Sequence, residues 1–213
     1  MRSPSTGTRC GVTSGARGPG QRAGLDHSAV LTAARDLLAQ QGTEAVTIRA
    51  LARQLHVAPN TLYSHVANRT ALLDELLDEV LAGVATPAVD VVDPVAGLHA
   101  LMVSTYEVLT AAPDLVPLYV ARQGARGAHA VRLGEITDAL LARAGANPQV
   151  VPVARRVLIV HAIGSAAFAT GTTAARDTVQ PPPADRPISD PESRDSFQVS
   201  LSWLLTGIGR AES

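Results

Sequence analysis

The stretch TEAVTIRALARQLHVAPNTLYSHVANRT, residues 43–70, decides the fold of this chain. Apolar residues at helical spacing predict one helix over 48–55 and another over 59–66, with Pro59 at the first position of the second. Only the three residues 56–58 join the two helices. Because this connection is too short for a parallel or antiparallel pair, the helices must cross at a steep angle, which is typical of a helix-turn-helix.

Helices are also predicted on both sides of this stretch, over 27–41 and 69–84. Asp26, Thr47 and Asn68 have the side chains that cap helix N-termini, and each stands just before a predicted helix. In each of the first three helices, an apolar residue before the cap is matched by another five positions later, which is the spacing of a hydrophobic staple. The acidic residues of the fourth helix are interpreted as a solvated face: Asp74, Glu75, Asp78 and Glu79.

The rest of the chain also shows helical periodicity, and no strand pattern or internal repeat is found. The predicted helices span 94–111, 114–121, 127–144, 153–170 and 191–209. The helix over 153–170 is apolar nearly all round and is expected to be buried on several sides. Residues 171–189, with three consecutive prolines, are interpreted as a mobile loop. The predicted fold class is therefore all-α.

Composition limits the class of protein. The chain has 213 residues, 46% hydrophobic and 17% charged, which is too apolar for disorder and too interrupted by charge for a membrane span. Its one cysteine, Cys10, excludes a disulfide framework within the chain and any CxxC site, so a cytoplasmic location is expected. Residues 1–24 contain four arginines and no acidic residue, and they are interpreted as a flexible basic arm or as an unselected tail.

Charge is distributed unevenly along the chain. Residues 1–69 hold eight arginines against three acidic residues, whereas residues 70–213 hold ten arginines against sixteen acidic residues. This asymmetry indicates an N-terminal part that faces nucleic acid and an acidic body that does not.

Over residues 25–85, and especially in TLYSHV and ANRTALLDEL, the chain resembles the TetR family of transcriptional regulators, in its tetracycline-repressor-like branch. The resemblance implies an all-α homodimer that binds double-stranded operator DNA through a three-helix domain, here 25–70. A connecting helix over 71–86 would then lead to a helical bundle over 94–213 that binds a small-molecule effector and dimerises. No cofactor and no membrane association are expected.

The third helix must present short polar and aromatic side chains to the major groove at its N-terminal end. The resemblance implies that Arg49 reaches a guanine edge, where a guanidinium donates to O6 and N7. It further implies that Thr47, Tyr63 and Arg69 contact phosphate, with either lysine or arginine serving at position 69. The predicted DNA-binding residues are Thr47, Arg49, Pro59, Asn60, Thr61, Tyr63, His65 and Arg69.

The chain departs from the family at two positions. His56 stands in the turn where glycine is usual, and histidine tolerates a left-handed backbone at some cost in stability. Ala85 stands where the tetracycline repressor has a drug-binding histidine, so tetracycline with magnesium is not supported as the effector.

Candidate effector-binding side chains in the body are His99, Met102, Tyr106, Tyr119, His161 and Phe168, with His129 and Trp203 as further candidates. The alternative for each is a place in the core or at an interface. The histidines at 99, 129 and 161 do not have a spacing that is typical of zinc ligands, so no metal site is predicted. The GxSxG, GxxxxGK[ST] and GxGxxG motifs are absent. A ligand-responsive repressor that leaves a palindromic operator on effector binding is therefore favoured over a helical enzyme or protein-interaction adaptor with a helix-turn-helix.

Overall fold

The computed structural model of the protein describes residues 25–171 and 190–210. The predictions for the basic arm and for the loop after Gly171 lie outside these residues. Within the described ranges, every regular element is helical, as predicted. The elements are α1 (His27–Gln41), α2 (Ile48–Gln54), α3 (Pro59–Leu62), α4 (Arg69–Leu81), α5 (Pro94–Thr110), α6 (Val116–Arg122), α7 (Ala128–Arg143), α8 (Val151–Ala169) and α9 (Asp190–Arg210), with 3-10 turns at Thr43–Ala45 and Pro113–Leu115.

The first three helices form a small N-terminal unit around a shared apolar core. Val30, Ala34 and Leu38 on α1 are buried with Leu51 of α2 and Leu62 of α3. These are helically spaced positions of the sequence, so the local pattern alone predicted which face of each helix is inside.

Caps define two of the helix starts as predicted. The Thr47 hydroxyl accepts a hydrogen bond from the Ala50 amide at 3.1 Å, and the Asn68 side chain accepts one from the Ala71 amide at 2.9 Å. Asp26 occupies the N-cap position of α1, but its carboxylate accepts from the Ser28 hydroxyl rather than from a backbone amide.

Helix α3 is shorter than predicted and ends at Leu62 rather than at residue 66. The chain continues through turns in which the His65 and Val66 amides both donate to the Leu62 carbonyl at 2.9 Å. It must then straighten, since Asn68 caps the next helix with an extended φ of −166°.

Helix α4 joins the N-terminal unit to a larger bundle made of α5 to α9. It packs against α1 on one side and against α5 and α7 on the other. Helix α8 contacts α5, α6, α7 and α9, so it lies at the centre of the bundle. It reaches a mean hydropathy of 1.4, enough by length and composition for a membrane span, yet only a third of it is buried. The expected burial on several sides is thus incomplete.

Candidate DNA interface and effector cavity

Helices α2 and α3 present most of the predicted DNA-binding side chains to the outside. Arg49 is exposed in the first turn of α2, where Thr47 forms the cap. Tyr63 keeps 56% of its surface exposed just after α3, and His65 is half-buried. Pro59, Asn60 and Thr61 are exposed along α3 itself. The structure therefore leaves these residues wholly or partly exposed on neighbouring helices, with apolar Leu62 and Val66 buried in the core.

The turn between α2 and α3 passes through a left-handed residue. His56 has a φ of 54°, the conformation that glycine adopts most easily. Its amide donates to the Arg53 carbonyl at 3.3 Å, and the Val57 amide donates to the Ala52 carbonyl at 3.0 Å. The turn keeps a left-handed backbone although histidine stands in place of glycine.

Arg69 has an intramolecular role that the sequence did not indicate. Its Nε donates to the Val46 carbonyl and its Nη2 to the Thr43 carbonyl, both at 2.8 Å. Glu44 lies 3.4 Å from the same Nη2. The guanidinium of Arg69 thus links the start of α4 to the segment between α1 and α2 by hydrogen bonds. The view that lysine serves equally well here is at odds with this geometry, because a single ammonium does not reproduce a planar fork.

The acidic face of α4 is not the solvated surface that the sequence predicted. Glu79 pairs with Arg35 on α1 at 3.1 Å, and Glu75 lies 3.1 Å from His27 at the start of α1. On the opposite side, the Asp74 carboxylate accepts from Nε and Nη2 of Arg122, at the end of α6, at 2.7 and 2.6 Å. Helical sequence cannot reveal these partners, because they come from residues more than forty positions away.

The fourth acidic residue, Asp78, is buried against the N-terminus of α7 and retains only 8% of its exposure. Its carboxylate accepts from the His129 and Ala130 amides at 3.0 and 2.8 Å. A Cβ on Gly127 would lie 2.2 Å from this carboxylate, so only glycine allows the approach. The helix N-terminus and its free amides favour a negative charge here.

Two of the predicted effector-binding residues line a cavity of about 170 Å³ among α5, α6, α7 and α8, which Leu81 at the end of α4 also borders. They are Met102 and Tyr119, both almost fully buried. The Tyr119 hydroxyl donates to the Leu77 carbonyl of α4, and burial raises the pKa of this phenol, so it is neutral at physiological pH. The sequence missed Gln123 and Thr137, which also line the cavity, because no periodicity marks a wall assembled from five helices.

The remaining four candidates lie elsewhere. The Tyr106 ring stacks on the Phe197 ring with centroids 4.4 Å apart. The His161 ring stacks on the same Phe197 ring with centroids 5.0 Å apart. Tyr106 and His161 therefore pack between α9 and the other helices of the bundle. This is the place in the core that the sequence left open as the alternative to effector binding. Phe168 is 62% exposed on α8, and His99 is half-buried on α5. None of the four lines the cavity.

Helices α8 and α9 pack against each other and both expose large apolar side chains. On α8 they recur at helical spacing on one side, and on α9 they lie one turn apart. We call this surface the apolar face; it consists of Val153, Val157, Val160 and Phe168 on α8 with Val199 and Trp203 on α9. Trp203 is 73% exposed and Val160 60% exposed, so the surface is open in a single chain.

Among residues 25–171 and 190–210, no three histidine, cysteine, aspartate or glutamate side chains come together as metal ligands. The described part of the chain therefore offers no site at which to place zinc.

Comparison with known proteins identifies the N-terminal unit. Residues 30–76 match the sequence family described as bacterial regulatory proteins, tetR family. A segment of 58 residues is 45% identical to the class D tetracycline repressor protein of Escherichia coli and to the class H protein of Photobacterium damsela subsp. piscicida. This segment covers 27% of the chain and 27% of either repressor.

Solved structures extend the likeness to the whole fold. A variant of TetR from Acinetobacter baumannii AYE in complex with minocycline is similar with a TM-score of 0.69 and 25% identity, over 89% of this chain and 99% of that one. BioQ with its double-stranded DNA operator is similar with a TM-score of 0.62 and 24% identity, over 87% and 98%. Because the matched proteins are regulators, the comparisons agree with the expectation that the chain is not an enzyme.

Proposed function

Since the helix-turn-helix domain of this chain belongs to the tetR family of bacterial regulatory proteins, we propose that the protein is a homodimeric repressor that leaves a palindromic operator when a small organic effector binds. The observation that carries the proposal is the exposed end of α2 and α3, where Arg49 stands beside a row of polar and aromatic side chains on a buried apolar base. The partner is DNA, so the site of action is the cytoplasm.

In this proposal the N-terminal end of α3 enters the major groove. Asn60 and Thr61 carry short side chains that reach base edges, while Arg49 donates to O6 and N7 of a guanine. The remaining predicted residues border the same surface and contact the phosphate backbone or the walls of the groove. They are Thr47, Pro59, Tyr63, His65 and Arg69.

The dimer forms through the apolar face of α8 and α9. A stripe of exposed valines with a phenylalanine and a tryptophan is larger than the scattered apolar residues of a monomer surface. A second copy of the chain buries it through a self-complementary interface with two-fold symmetry. That symmetry fits a palindromic operator whose half-sites are about one helical turn, or a multiple, apart.

Effector binding is coupled to DNA through α4. The cavity is bounded by α6 and by the α6–α7 connection, which includes Gln123 and Ala125. The elements on either side of this connection hold α4: α6 through Arg122 with Asp74, and the start of α7 through its amides with Asp78. An effector that shifts α6 or the start of α7 therefore shifts α4, and with it the spacing of the two DNA-binding units. Coupling of this kind is about 1–3 kcal/mol and is reciprocal.

The test begins with selection of duplexes from a random pool, followed by titration of the selected duplex and a scrambled one. We expect Arg49→Ala to lose about 1–3 kcal/mol on the selected duplex and to relax preference at one base pair per half-site. Arg132→Ala is the control, because Arg132 is equally exposed but lies on α7. Failure to enrich any duplex contradicts the proposal, and equal losses of Arg49→Ala on both duplexes contradict base readout by Arg49.

A further inference from the structure

The cavity of the body is small, apolar and free of ionised side chains. Its walls come mainly from aliphatic residues and Met102, together with alanines and glycines of the α6–α7 region. No aspartate, glutamate, lysine, arginine or histidine lines it. Tyr119 is its one titratable side chain, and that hydroxyl already donates to the Leu77 carbonyl. A carboxylate or an ammonium group inside this cavity would have no counter-charge, and burying an unpaired charge is strongly unfavourable.

Hydrogen-bonding capacity in the cavity comes from three uncharged side chains. Thr105 and Thr137 donate their hydroxyl protons to the carbonyls of Leu101 and Leu133, at 2.8 and 2.7 Å. Each threonine oxygen thereby keeps a lone pair that accepts from a ligand. Gln123 adds an amide at the left-handed end of α6, with a φ of 57°. These groups suit a ligand hydroxyl, which both donates and accepts.

The volume of about 170 Å³ sets the size of the ligand. Engineered apolar cavities of about 150 Å³ take up benzene, whereas pockets for drug-sized molecules span about 300–1,000 Å³. The cavity in this conformation therefore holds one substituted six-membered ring rather than a fused multi-ring molecule.

A groove between α6 and α8 adjoins the cavity and reaches the apolar face at Val160. It shares Tyr119, Gln123 and Ile163 with the cavity, and its outer part includes the arginines at 155 and 156. Arg155 pairs with Asp138 at 2.6 Å. The two arginines thus lie in the groove, whereas the cavity itself is lined by uncharged side chains.

From the charge-free wall, the threonine and glutamine oxygens and the cavity size, we infer that the effector is a small neutral ring compound with a hydroxyl group, of the phenol class. This inference rests on the proposed function, since it assigns the chemistry of the effector site named there.

The test uses four probes of one ring size on the full-length protein at pH 7: p-cresol, toluene, benzoate and benzylammonium. Phenols ionise near pH 10, so p-cresol is neutral at this pH. Binding is followed by calorimetry and ligand-observed NMR. We expect p-cresol to bind most tightly, toluene several-fold more weakly, and the two ions at least about tenfold more weakly. Benzoate or benzylammonium binding as tightly as p-cresol overturns the inference.

Two variants locate the binding. Ala130→Leu fills the cavity from α7 and is expected to abolish p-cresol binding, whereas Ala142→Leu on the exposed side of the same helix leaves it unchanged. Thr137→Val removes one hydroxyl at constant shape, so it should weaken p-cresol several-fold and leave toluene unaffected. This second variant decides the matter if Ala130→Leu does not fold. Retained binding by folded Ala130→Leu, or an equal effect of Thr137→Val on both probes, overturns the inference.

The two proposals fail separately. If no probe binds while the protein still selects a DNA duplex, the phenol inference is wrong and the proposed repressor function stands. If p-cresol binds in the cavity but no duplex is selected, the cavity chemistry stands and the regulator function is wrong.

Discussion

Arg69 makes intramolecular contacts in the structure and is proposed to contact DNA as well. Its guanidinium donates to the carbonyls of Thr43 and Val46, and it is partly exposed. Hydrogen bonds from a charged group contribute about 1.5–3 kcal/mol when buried, and exposure to solvent lowers that contribution. The segment between α1 and α2 therefore depends on this side chain for its position relative to α4, before any DNA is present.

We expect Arg69→Ala to lower the free energy of unfolding by about 1 kcal/mol and to weaken selected and scrambled duplexes alike. Arg69→Lys should recover DNA binding in part but not the lost stability, because one ammonium does not bridge both carbonyls. Urea denaturation and DNA titrations at several salt concentrations measure the two effects. Wild-type stability of Arg69→Lys would contradict the bridging role.

We expect His161 to make the stability of the body depend on pH. Burial lowers the pKa of its imidazole, which stacks on Phe197 and lies 3.0 Å from the Ser200 hydroxyl. The folded protein thus binds the proton more weakly than the unfolded chain does, whose histidine has a pKa of about 6.5. Its contribution to stability is present above that pH and is lost as the pH falls towards the lowered folded pKa.

The matched measurement is the free energy of unfolding from pH 8 to pH 5 for the wild type and for His161→Gln. The variant should show a smaller loss of stability over this range, since glutamine does not titrate. Identical pH profiles for the two proteins would show that His161 does not contribute to this dependence.

At the scale of elements, α4 and α7 are joined by a charge placed at a helix end. Asp78 accepts from two α7 amides, and Gly127 allows its approach. Replacing Asp78 by alanine leaves these amides without their acceptor in a buried place, and an unsatisfied buried group costs about 1–3 kcal/mol. Because α4 leads to the DNA-binding unit, the same link orients that unit.

Asp78→Ala and Gly127→Ala should each lower the free energy of unfolding by at least about 2 kcal/mol, the first by loss of the acceptor and the second by steric conflict. Gly207→Ala is the control, because a Cβ there meets nothing within 4 Å. It is a helical position, so alanine is expected to be neutral or stabilising by up to about 1 kcal/mol. Denaturant unfolding measures all three. If Gly127→Ala had the same free energy of unfolding as the wild type, α4 and α7 could move apart without loss of stability, which would contradict this prediction.

At the scale of the whole molecule, the proposed dimer depends on the apolar face of α8 and α9. We expect the wild type to have twice the chain mass of 22.1 kDa in light scattering, and Val160→Glu to have the mass of one chain. The reason is that an acidic side chain in the middle of a two-fold interface meets its own copy and a desolvated apolar surface.

Val95→Glu is the matched control, because Val95 is an exposed valine on α5 outside the apolar face. It should remain dimeric and keep operator affinity, whereas Val160→Glu should lose affinity because the two half-sites are no longer bound together. A wild type with the mass of one chain at micromolar concentration would contradict the dimer.

Sequence determined the N-terminal unit almost completely, because its signals are local. The caps at Thr47 and Asn68, the proline that opens α3 and the three-residue turn each act within a few positions, so periodicity and side-chain chemistry were sufficient. The side chains that α3 exposes followed from the same local reading, whereas Arg49 on α2 came from the family resemblance. The end of α3 did not, since it depends on the start of α4.

Tertiary structure alone decided the partners of the acidic residues on α4, the second role of Arg69 and the composition of the cavity. Each depends on groups distant in sequence: Asp78 on the amides of α7, Arg69 on carbonyls before α2, and the cavity on five helices at once. A helical pattern reports which face of a helix is apolar, but it does not report which helix lies opposite. For that reason Met102 and Tyr119 were found as candidates, while Gln123 and Thr137 became visible only when the bundle was assembled.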